Sequence, residues 1–313
     1  MTDFVVIPDT ACDLTADLRE RFGITDYLHG ILYHPDGRSE VCSLDWDTMT
    51  AEEYYRSMKG RKALYTTATP PLGEVMDIFE KYLSRGQDVL SISLSAGLSS
   101  SYANTVSVAN ELLQKYPDRK IVCIDSKRYS TALSLLVIEA CKQRDAGKTI
   151  DETAEYLLSI RDTVHQMGSM DDLFFLVKTG RVTNFKAFFG SMISLNVLAD
   201  FNEKGMAQVV GKCKGSRNAI NATIAYMKQT IVGPQEQIVF VAHTDRAAAA
   251  QLLADRIQEE FSPKEIIINT VGAACGATIG PGLCAAFYRG VSATEGLVKE
   301  QEIMSTILQP QQK

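Results

Sequence analysis

The segment DVLSISLSAGLSSSYANTVSVANELLQKYPDRKIVCID, residues 88–125, decides the fold class of this 313-residue chain. Its two ends, residues 88–94 and 120–125, are short apolar runs that predict buried strands. The residues between them are apolar at helical spacing as far as Pro117, where a helix has to stop. A strand, a helix and a second strand in this order predict a parallel pair with a right-handed crossover, which is the repeating unit of an α/β fold.

The same alternation continues along the chain and predicts an α/β protein of two domains. A chain of this length exceeds the usual size of one hydrophobic core. We place one boundary near residue 165, with a parallel-sheet domain over residues 1–165 and a second α/β domain over residues 166–313. The other predicted strands cover residues 4–10, 206–215, 237–244 and 265–271. The other predicted helices cover residues 131–146, 150–165 and 246–260, and residues 171–195 in two pieces broken at Gly180.

Composition and charge exclude several classes of function. The net charge is −6 with a pI of about 5.4, which argues against a nucleic-acid partner, because phosphate neutralisation needs clustered Lys and Arg. The sequence has no run of about 18 apolar residues, so we predict no membrane span. The first ten residues lack a basic, cleavable leader and enter a strand directly, so we expect a cytoplasmic protein.

The usual motifs of nucleotide, metal and hydrolase chemistry are also absent from the sequence. It contains no GxxxxGK[ST], no GxGxxG after a strand and no GxSxG. The four histidines and seven cysteines show no close metal-ligand spacing, and the cysteines fit small buried side chains in a reducing compartment. We therefore predict no metal and no cofactor.

Two hydroxyl-rich segments open predicted helices, and the first of them directly follows an apolar run. The first is SLSAGLSSSYAN (Ser93–Asn104), and the second is YTTATPPLGEV (Tyr65–Val75). Backbone N–H groups at a helix start carry partial positive charge, and hydroxyls add donors, so each segment suits a small anion. Each is also compatible with a plain helix entry that holds no ligand, and for the second segment taken alone the plain helix entry is favoured.

Two further segments are rich in aromatic residues or in glycine. Residues 174–195 place much bulky apolar surface in a short stretch, which suits an ordinary core or the lining for a long apolar ligand. Residues 272–290 contain five glycines, including a Gly-Pro-Gly. Such a stretch permits a tight turn or close backbone packing against a neighbour or a ligand.

Taken together and in this order, these segments resemble the DegV family of bacterial fatty-acid-binding proteins. That family includes the acyl-carrying subunits of bacterial fatty acid kinase. The likeness covers essentially the whole chain, and eight weak motifs in the same order make it specific. The matching segments are IPDTACDL (Ile7–Leu14), TTATPP (Thr66–Pro71), SLSAGLSSSY (Ser93–Tyr102), CIDSKRYS (Cys123–Ser130), LFFLVKTGRVTNFKAFFGSMISL (Leu173–Leu195), KCKGSRNAI (Lys212–Ile220), VAHTD (Val241–Asp245) and GPG (Gly280–Gly282).

The resemblance implies a two-domain DegV-like fold that carries a long-chain fatty acid such as palmitate, stearate or oleate. It places the carboxylate at the cleft between domains and the acyl chain inside the C-terminal domain. The implied head-group residues are Thr66, Thr67, Ser95, Gly97, Leu98, Ser99, Arg217, Thr278 and Gly280. The implied acyl-chain lining is Phe174, Phe175, Phe188, Phe189, Met192, Ile193 and Leu195.

The resemblance implies no catalytic residue in this chain. In the family, ATP chemistry belongs to a separate fatty acid kinase subunit, which is the implied protein partner. Family members often have His-Thr-Gly-Pro-Gly where this chain has Thr278 and Ile279 before the Gly-Pro-Gly. That histidine is a head-group contact in the kinase-coupled members, so its absence leaves the coupling open.

Two other functions stay compatible with the sequence. One is a serine-dependent acyl-ester hydrolase that uses Ser95 or Ser99 with His243, which lies at the end of a predicted strand. The other is a sensor of a different amphiphile, whose polar head suits Thr278 better than a histidine.

Overall fold

The structure of the protein, a computed structural model, describes residues 4–183 and 195–309. Strands and helices alternate along most of the chain. The strands are β1 (Phe4–Pro8), β2 (Gly30–Tyr33), β3 (Ser39–Cys42), β4 (Thr66–Ala68), β5 (Asp88–Ser93), β6 (Ile121–Asp125), β7 (Val164–Met170), β8 (Val182–Thr183), β9 (Leu195–Phe201), β10 (Ala207–Lys214), β11 (Ile238–His243), β12 (Glu265–Thr270) and β13 (Leu283–Arg289). The helices are α1 (Ala16–Arg21), α2 (Ala51–Met58), α3 (Leu72–Leu83), α4 (Ser101–Lys115), α5 (Thr131–Asp145), α6 (Ile150–Ile160), α7 (Phe174–Thr179), α8 (Ser216–Thr230), α9 (Ala247–Phe261), α10 (Ala273–Ile279) and α11 (Val298–Leu308).

The chain forms two compact units, and each unit is assembled from three segments. The first contains Met1–Thr50, Leu64–Arg161 and Gly272–Cys275. The second contains Ala51–Ala63, Asp162–Val271 and Gly276–Lys313. A single boundary near residue 165, as we predict it, does not account for two short segments. Ala51–Ala63 belongs to the second unit and Gly272–Cys275 to the first, because long-range packing rather than a local sequence pattern assigns them.

A three-stranded parallel sheet in the order β1-β5-β6 forms the centre of the first unit. The predicted strand–helix–strand unit is confirmed, with α4 joining the parallel strands β5 and β6. Helix α3 packs on this sheet through Val75, Phe79 and Leu83, which follow one another every four residues along one helix face. Complete burial of a side chain such as Phe79 stabilises the unit by about 1.5–3 kcal/mol.

A second, antiparallel sheet of the first unit has the order β3-β2-β4. Strand β4 carries the predicted head-group threonines at its exposed edge. Thr67 pairs with Leu32 and Thr66 pairs with Tyr33.

The second unit is built on a seven-stranded mixed sheet in the order β12-β11-β13-β7-β9-β10-β8. The predicted strands at residues 206–215, 237–244 and 265–271 are confirmed as β10, β11 and β12. Helix α9 crosses over between the parallel strands β11 and β12, as the apolar pattern predicts. One face of the sheet packs on α8, α9 and α11 through a large apolar cluster.

The structure corrects two predicted helices. The helix predicted over residues 150–165 is too long, because α6 ends at Ile160. Residues 164 and 165 instead begin the fully buried strand β7, which covers residues 164–170. The second piece of the helix predicted over residues 171–195 is also wrong at both described ends. Val182 and Thr183 form β8, and Leu195 opens β9. The predicted break at Gly180 is confirmed, because this residue ends α7 with a φ of 71°.

No helix within residues 4–183 and 195–309 is long and apolar enough to cross a membrane.

Candidate functional site

The loops after β1, β5 and β6 meet at one edge of the first unit, because parallel strands end on the same side of a sheet. The loop after β5, residues 94–99, is called the Ser95 loop below. Asp9 follows β1, and residues 125–130 follow β6. This arrangement brings together the segments IPDTACDL, SLSAGLSSSY and CIDSKRYS, which are distant in sequence.

Three consecutive amides of the Ser95 loop donate to acceptors from the two neighbouring strand ends. The N–H of Leu94 donates to Oδ2 of Asp9 at 2.8 Å. The N–H of Ser95 donates to the carbonyl of Arg128 at 3.0 Å, and that of Ala96 donates to Oδ1 of Asp125 at 3.0 Å. The loop is therefore clamped between β1 and β6.

The remaining amides of the loop are satisfied within the loop itself. The N–H of Gly97 donates to Oγ of Ser95, and those of Leu98 and Ser99 donate to the Ser95 carbonyl. Every N–H group of residues 94–99 therefore has an acceptor within the protein. The donors that this loop can offer an anion are its hydroxyls.

The two serines of the loop occupy different environments. Ser95 is fully buried, whereas Ser99 is half-buried. Ser99 Oγ accepts the N–H of Ser101 at 3.2 Å and lies 3.0 Å from Ser101 Oγ. Ser99 therefore satisfies an amide of the first turn of α4, which is the helix-entry role left open by the sequence.

The two hydroxyl-rich segments of the sequence lie side by side in the first unit. Asn104 is the last residue of SLSAGLSSSYAN. Its side-chain Nδ2 donates to Oγ1 of Thr69 in TTATPP at 3.0 Å. Thr66 and Thr67 are exposed on β4. The structure thus brings together the two segments that carry the predicted head-group residues of this unit.

Two buried carboxyl groups lie beneath these loops. Asp9 is 2% exposed, and burial raises its pKa to about 6 although two amides donate to it. Burial raises the pKa of Asp13 to about 7, against the opposing effect of hydrogen bonds from the Ser130 hydroxyl at 2.5 Å and the Gly272 N–H. Both groups therefore change charge between mildly acidic and neutral pH.

Replacing Asp13 by Asn is expected to flatten the pH dependence of stability. Because the pKa of Asp13 is about 7 in the folded protein and 3.8 for an unperturbed aspartate, the folded state retains a proton that the unfolded chain releases. Stability then falls as pH rises between about 4 and 7, by up to about 1.4 kcal/mol per pH unit for one group. Urea unfolding at pH 4.5, 6 and 8 should show a smaller loss in Asp13→Asn than in the wild type.

The exposed Asp118 provides the control for that experiment, because Asp118→Asn should keep the wild-type profile. A wild-type stability that rises across this pH range relative to Asp13→Asn would contradict the expectation.

The predicted basic residue Arg217 is exposed on the first turn of α8. The neighbouring Arg246 is instead held firmly. Its guanidinium donates to the Gly282 carbonyl at 3.1 Å and to Ser216 Oγ at 2.7 Å, and it pairs with Asp171 at 3.1 Å. Arg246 is therefore an anchored cation of the second unit, beside the Gly-Pro-Gly turn.

Gly280 and Thr278 lie at the end of α10. Gly280 has a φ of 73°, and a Cβ there would lie 2.1 Å from Cδ2 of Phe175. Glycine is therefore required at position 280 both by the backbone and by the ring that packs on it. Thr278 is half-buried at the position where the resemblance expects a histidine.

The described part of the predicted acyl lining consists of Phe174, Phe175 and Leu195. Phe175 is buried, and its ring meets that of the half-buried Phe174 edge to face at 5.3 Å. The guanidinium of Arg61 lies 4.1 Å from the centre of the Phe174 ring, so Phe174 has a cation on one side. Leu195 is half-buried at the start of β9. Phe188, Phe189, Met192 and Ile193 lie outside the described residues.

His243, the base in the hydrolase alternative, has a structural contact at the start of α9. Its Nδ1 accepts the N–H of Arg246 at 3.3 Å, and burial lowers its pKa. The ring is therefore neutral at neutral pH and satisfies an amide at a helix N-terminus.

A protein-family model supplies the identity that these residues point to. The family model described as "Uncharacterised protein, DegV family" matches residues 3–290. The chain belongs to the DegV family. The DegV domain-containing protein CPE0026 of Clostridium perfringens is 28% identical to this DegV chain over 290 residues, which cover 93% of this chain and 98% of the relative.

Solved DegV structures share the fold of this chain. A DegV family protein from Thermus thermophilus, described as binding fatty acid, matches with a TM-score of 0.82 and 21% identity over 92% of this chain and 100% of its own. The DegV family protein of Ruminococcus gnavus ATCC 29149, refined with vaccenic acid, matches with a TM-score of 0.80 and 19% identity over 92% of this chain and 100% of its own. At these identities the likeness establishes the α/β DegV fold.

Sequence reasoning missed three polar residues of this DegV chain that organise its loops: Asp9, Asp13 and Arg246. A signal for the first two was present, because IPDTACDL places two acidic residues among small and apolar ones directly after a buried strand. Arg246 gives a weaker signal, since a basic residue between a strand and a helix is ordinarily a solvated side chain.

Proposed function

We propose that this DegV protein binds and carries a long-chain fatty acid without catalysing a reaction on it. The observation that carries the proposal is the pairing of the two hydroxyl segments through Asn104 and Thr69. This hydrogen bond brings the segment that carries Thr66 and Thr67 into contact with the helix that follows the Ser95 loop. Fatty acid binding by solved DegV relatives supports the same ligand class.

In this proposal the carboxylate head group is bound by hydroxyl donors of the first unit. Thr66, Thr67, Ser95 and Ser99 supply those donors, and Gly97 and Leu98 shape the turn that presents them. A few hydrogen bonds suffice for the head group, because they need only offset the cost of removing a carboxylate from water.

The affinity in this proposal comes from the acyl chain. Burial of one methylene contributes about 0.8 kcal/mol, so a chain of about fourteen contributes roughly 11 kcal/mol before ordering costs. We assign the chain to the second unit, where Phe174, Phe175 and Leu195 are the described members of the proposed lining. Arg217, Thr278 and Gly280 are the proposed contributions of the second unit to the head-group end.

Phosphorylation of the bound carboxylate would need a separate kinase subunit in this proposal. Thr278 offers a neutral hydroxyl where the resemblance expects an imidazole. The proposed function therefore requires binding of the free fatty acid only.

Lipid extraction and native mass spectrometry of the purified protein should detect a fatty acid. Replacing Ser95 by Ala should raise the Kd for palmitate or oleate by roughly tenfold or more, because a hydrogen bond to a charged group contributes about 1.5–3 kcal/mol. Thr66→Ala should act in the same direction. Isothermal titration of delipidated protein measures both effects.

Ser159→Ala is the matched control, because Ser159 is an exposed serine on α6 that donates to a carbonyl of its own helix. Its Kd should equal that of the wild type. Protein that is purified empty and takes up neither palmitate nor oleate would refute the proposed function. Covalent labelling of Ser95 or Ser99 by a fluorophosphonate would favour the hydrolase instead.

A further inference from the structure

We propose that Asp9 is a positioning residue for the Ser95 loop, and that its carboxylate makes head-group binding depend on pH. The inference concerns regulation of the same site and so rests on the proposed function. Asp9 is not one of the predicted head-group residues. It acts on a ligand by fixing the position of the Ser95 loop.

The geometry of Asp9 uses both of its carboxylate oxygens. Oδ1 accepts the N–H of Ala11 at 3.0 Å, and Oδ2 accepts the N–H of Leu94 at 2.8 Å. An ionised carboxylate accepts at both oxygens, whereas a protonated carboxyl carries a donor on one of them. Protonation therefore places an O–H against one of the two N–H groups and breaks one arm of this bridge.

The Leu94 arm of the bridge determines where Ser95 lies. Leu94 directly precedes Ser95. The N–H groups of the following turn, those of Gly97, Leu98 and Ser99, donate to oxygens of Ser95. Loss of the Asp9 contact removes the hold on Leu94 and leaves the contacts of the next two amides to the Arg128 carbonyl and Asp125. The Ser95 hydroxyl then samples more than one position, and a ligand has to select one of them.

The surroundings of Asp9 place its pKa within a pH range that solution experiments can reach. Burial raises its pKa to about 6, so the carboxylate bridge is intact at pH 8 and largely protonated at pH 5. The Cys12 and Cys275 thiols stay neutral throughout, because burial raises their pKa. The titratable groups that interact directly with Asp9 are Cys12, Asp13 and Cys275. Arg19 acts on Cys12 and Cys42 acts on Cys275, while Asp125 and the Arg128 carbonyl accept from the next two amides of the Ser95 loop.

Amide hydrogen exchange tests the bridge without any ligand. We expect protection of residues 94–99 in wild-type protein, corrected for intrinsic exchange, to fall by about tenfold between pH 8 and pH 5, as for loss of one hydrogen bond to a charged group. Asp9→Asn should show the low protection at both pH values. Its single carbonyl oxygen can accept only one of the two N–H groups.

Asp118→Asn is the matched control for this experiment. Asp118 is an exposed aspartate beyond the end of α4, outside the loop and the contacts that hold it. This variant should therefore keep both the protection and its pH dependence. Equal protection of residues 94–99 at pH 5 and pH 8 in the wild type would overturn the proposal, whether or not Asp9→Asn folds.

The binding measurement adds the functional consequence. The ratio of the palmitate Kd of Asp9→Asn to that of the wild type should be about ten at pH 8 and about one at pH 5. Taking the ratio cancels the titration of the fatty acid itself. A constant ratio across this range would overturn the proposal. A pH-dependent protection with no fatty acid bound by either protein would instead retain the bridge and refute the proposed function.

Discussion

Replacement of Asp200 by Ala is expected to lower the free energy of unfolding by about 4 kcal/mol, as for removal of one partner of a buried ion pair. The Asp200 carboxylate is fully buried at the centre of the second unit. It lies 2.6 Å from Nδ1 of His165, whose Nε2 lies 2.7 Å from the Val291 carbonyl. Both ring nitrogens of His165 therefore lie within hydrogen-bond distance of an oxygen atom.

Asp200 also accepts three neutral donors, and their loss explains the size of the effect. The other donors to its two oxygens are the N–H groups of Gln166 and Phe201 and the hydroxyl of Tyr226. Alanine at position 200 leaves all of these groups buried without this acceptor. The single mutation therefore breaks several buried hydrogen bonds at once.

Urea unfolding followed by far-UV circular dichroism measures this change. Trp46 is the only tryptophan in the sequence and belongs to the first unit, so its fluorescence reports separately on that unit. Asp255→Ala is the control, because Asp255 is exposed on α9 and bonds to Gln251 of the same helix. It should change stability by less than about 0.5 kcal/mol. A loss below about 1 kcal/mol in Asp200→Ala would contradict the network.

Replacement of Gly168 by Ala is expected to destabilise the second unit by about 3 kcal/mol, the upper range for overpacking a core. Gly168 lies in the middle of β7, between β13 and β9. A Cβ at this position would lie 2.2 Å from Cα of Ala285 and 2.3 Å from the Cys284 carbonyl oxygen. The obstacle is the backbone of a central strand, so relief requires a strand to shift.

Gly73→Ala is the opposite case and serves as the control. Gly73 lies in α3, and a Cβ there would meet nothing within 4 Å. Alanine should stabilise this helix by about 0.5–1 kcal/mol, since it restricts the unfolded chain more than glycine does. Unfolding midpoints that move together in the two variants would contradict the packing at Gly168.

The parts of the fold that sequence predicts well are those with an apolar period of their own. Strand β5, helix α4 and strand β6 follow the predicted pattern, because each buries a continuous apolar run or one helix face. Strand β7 escapes prediction for the reverse reason. It reads VHQMGSM, and its polar residues are buried because partners such as Asp200 come from another strand.

The candidate site divides along the same line. The residue types alone indicate hydroxyl-rich loops at strand ends, and motif order alone indicates the DegV family. Which amides of the Ser95 loop are already satisfied depends on Asp9, Asp125 and Arg128, which lie far from the loop along the chain. A local sequence pattern indicates whether a group can form a hydrogen bond. Tertiary packing determines which partner that group has.

By itself, the sequence determined the α/β class, the strand–helix–strand core and the hydroxyl-bearing segments, because these follow from periodicity and residue chemistry within a short window. Only the tertiary structure decided that Asp9 and Asp13 are buried, that Arg246 is an anchored cation, and that β7 is a strand. Each of these depends on desolvation and on partners from distant segments. The free energy of a buried charge or amide is set by its completed surroundings, which a short window of sequence does not contain.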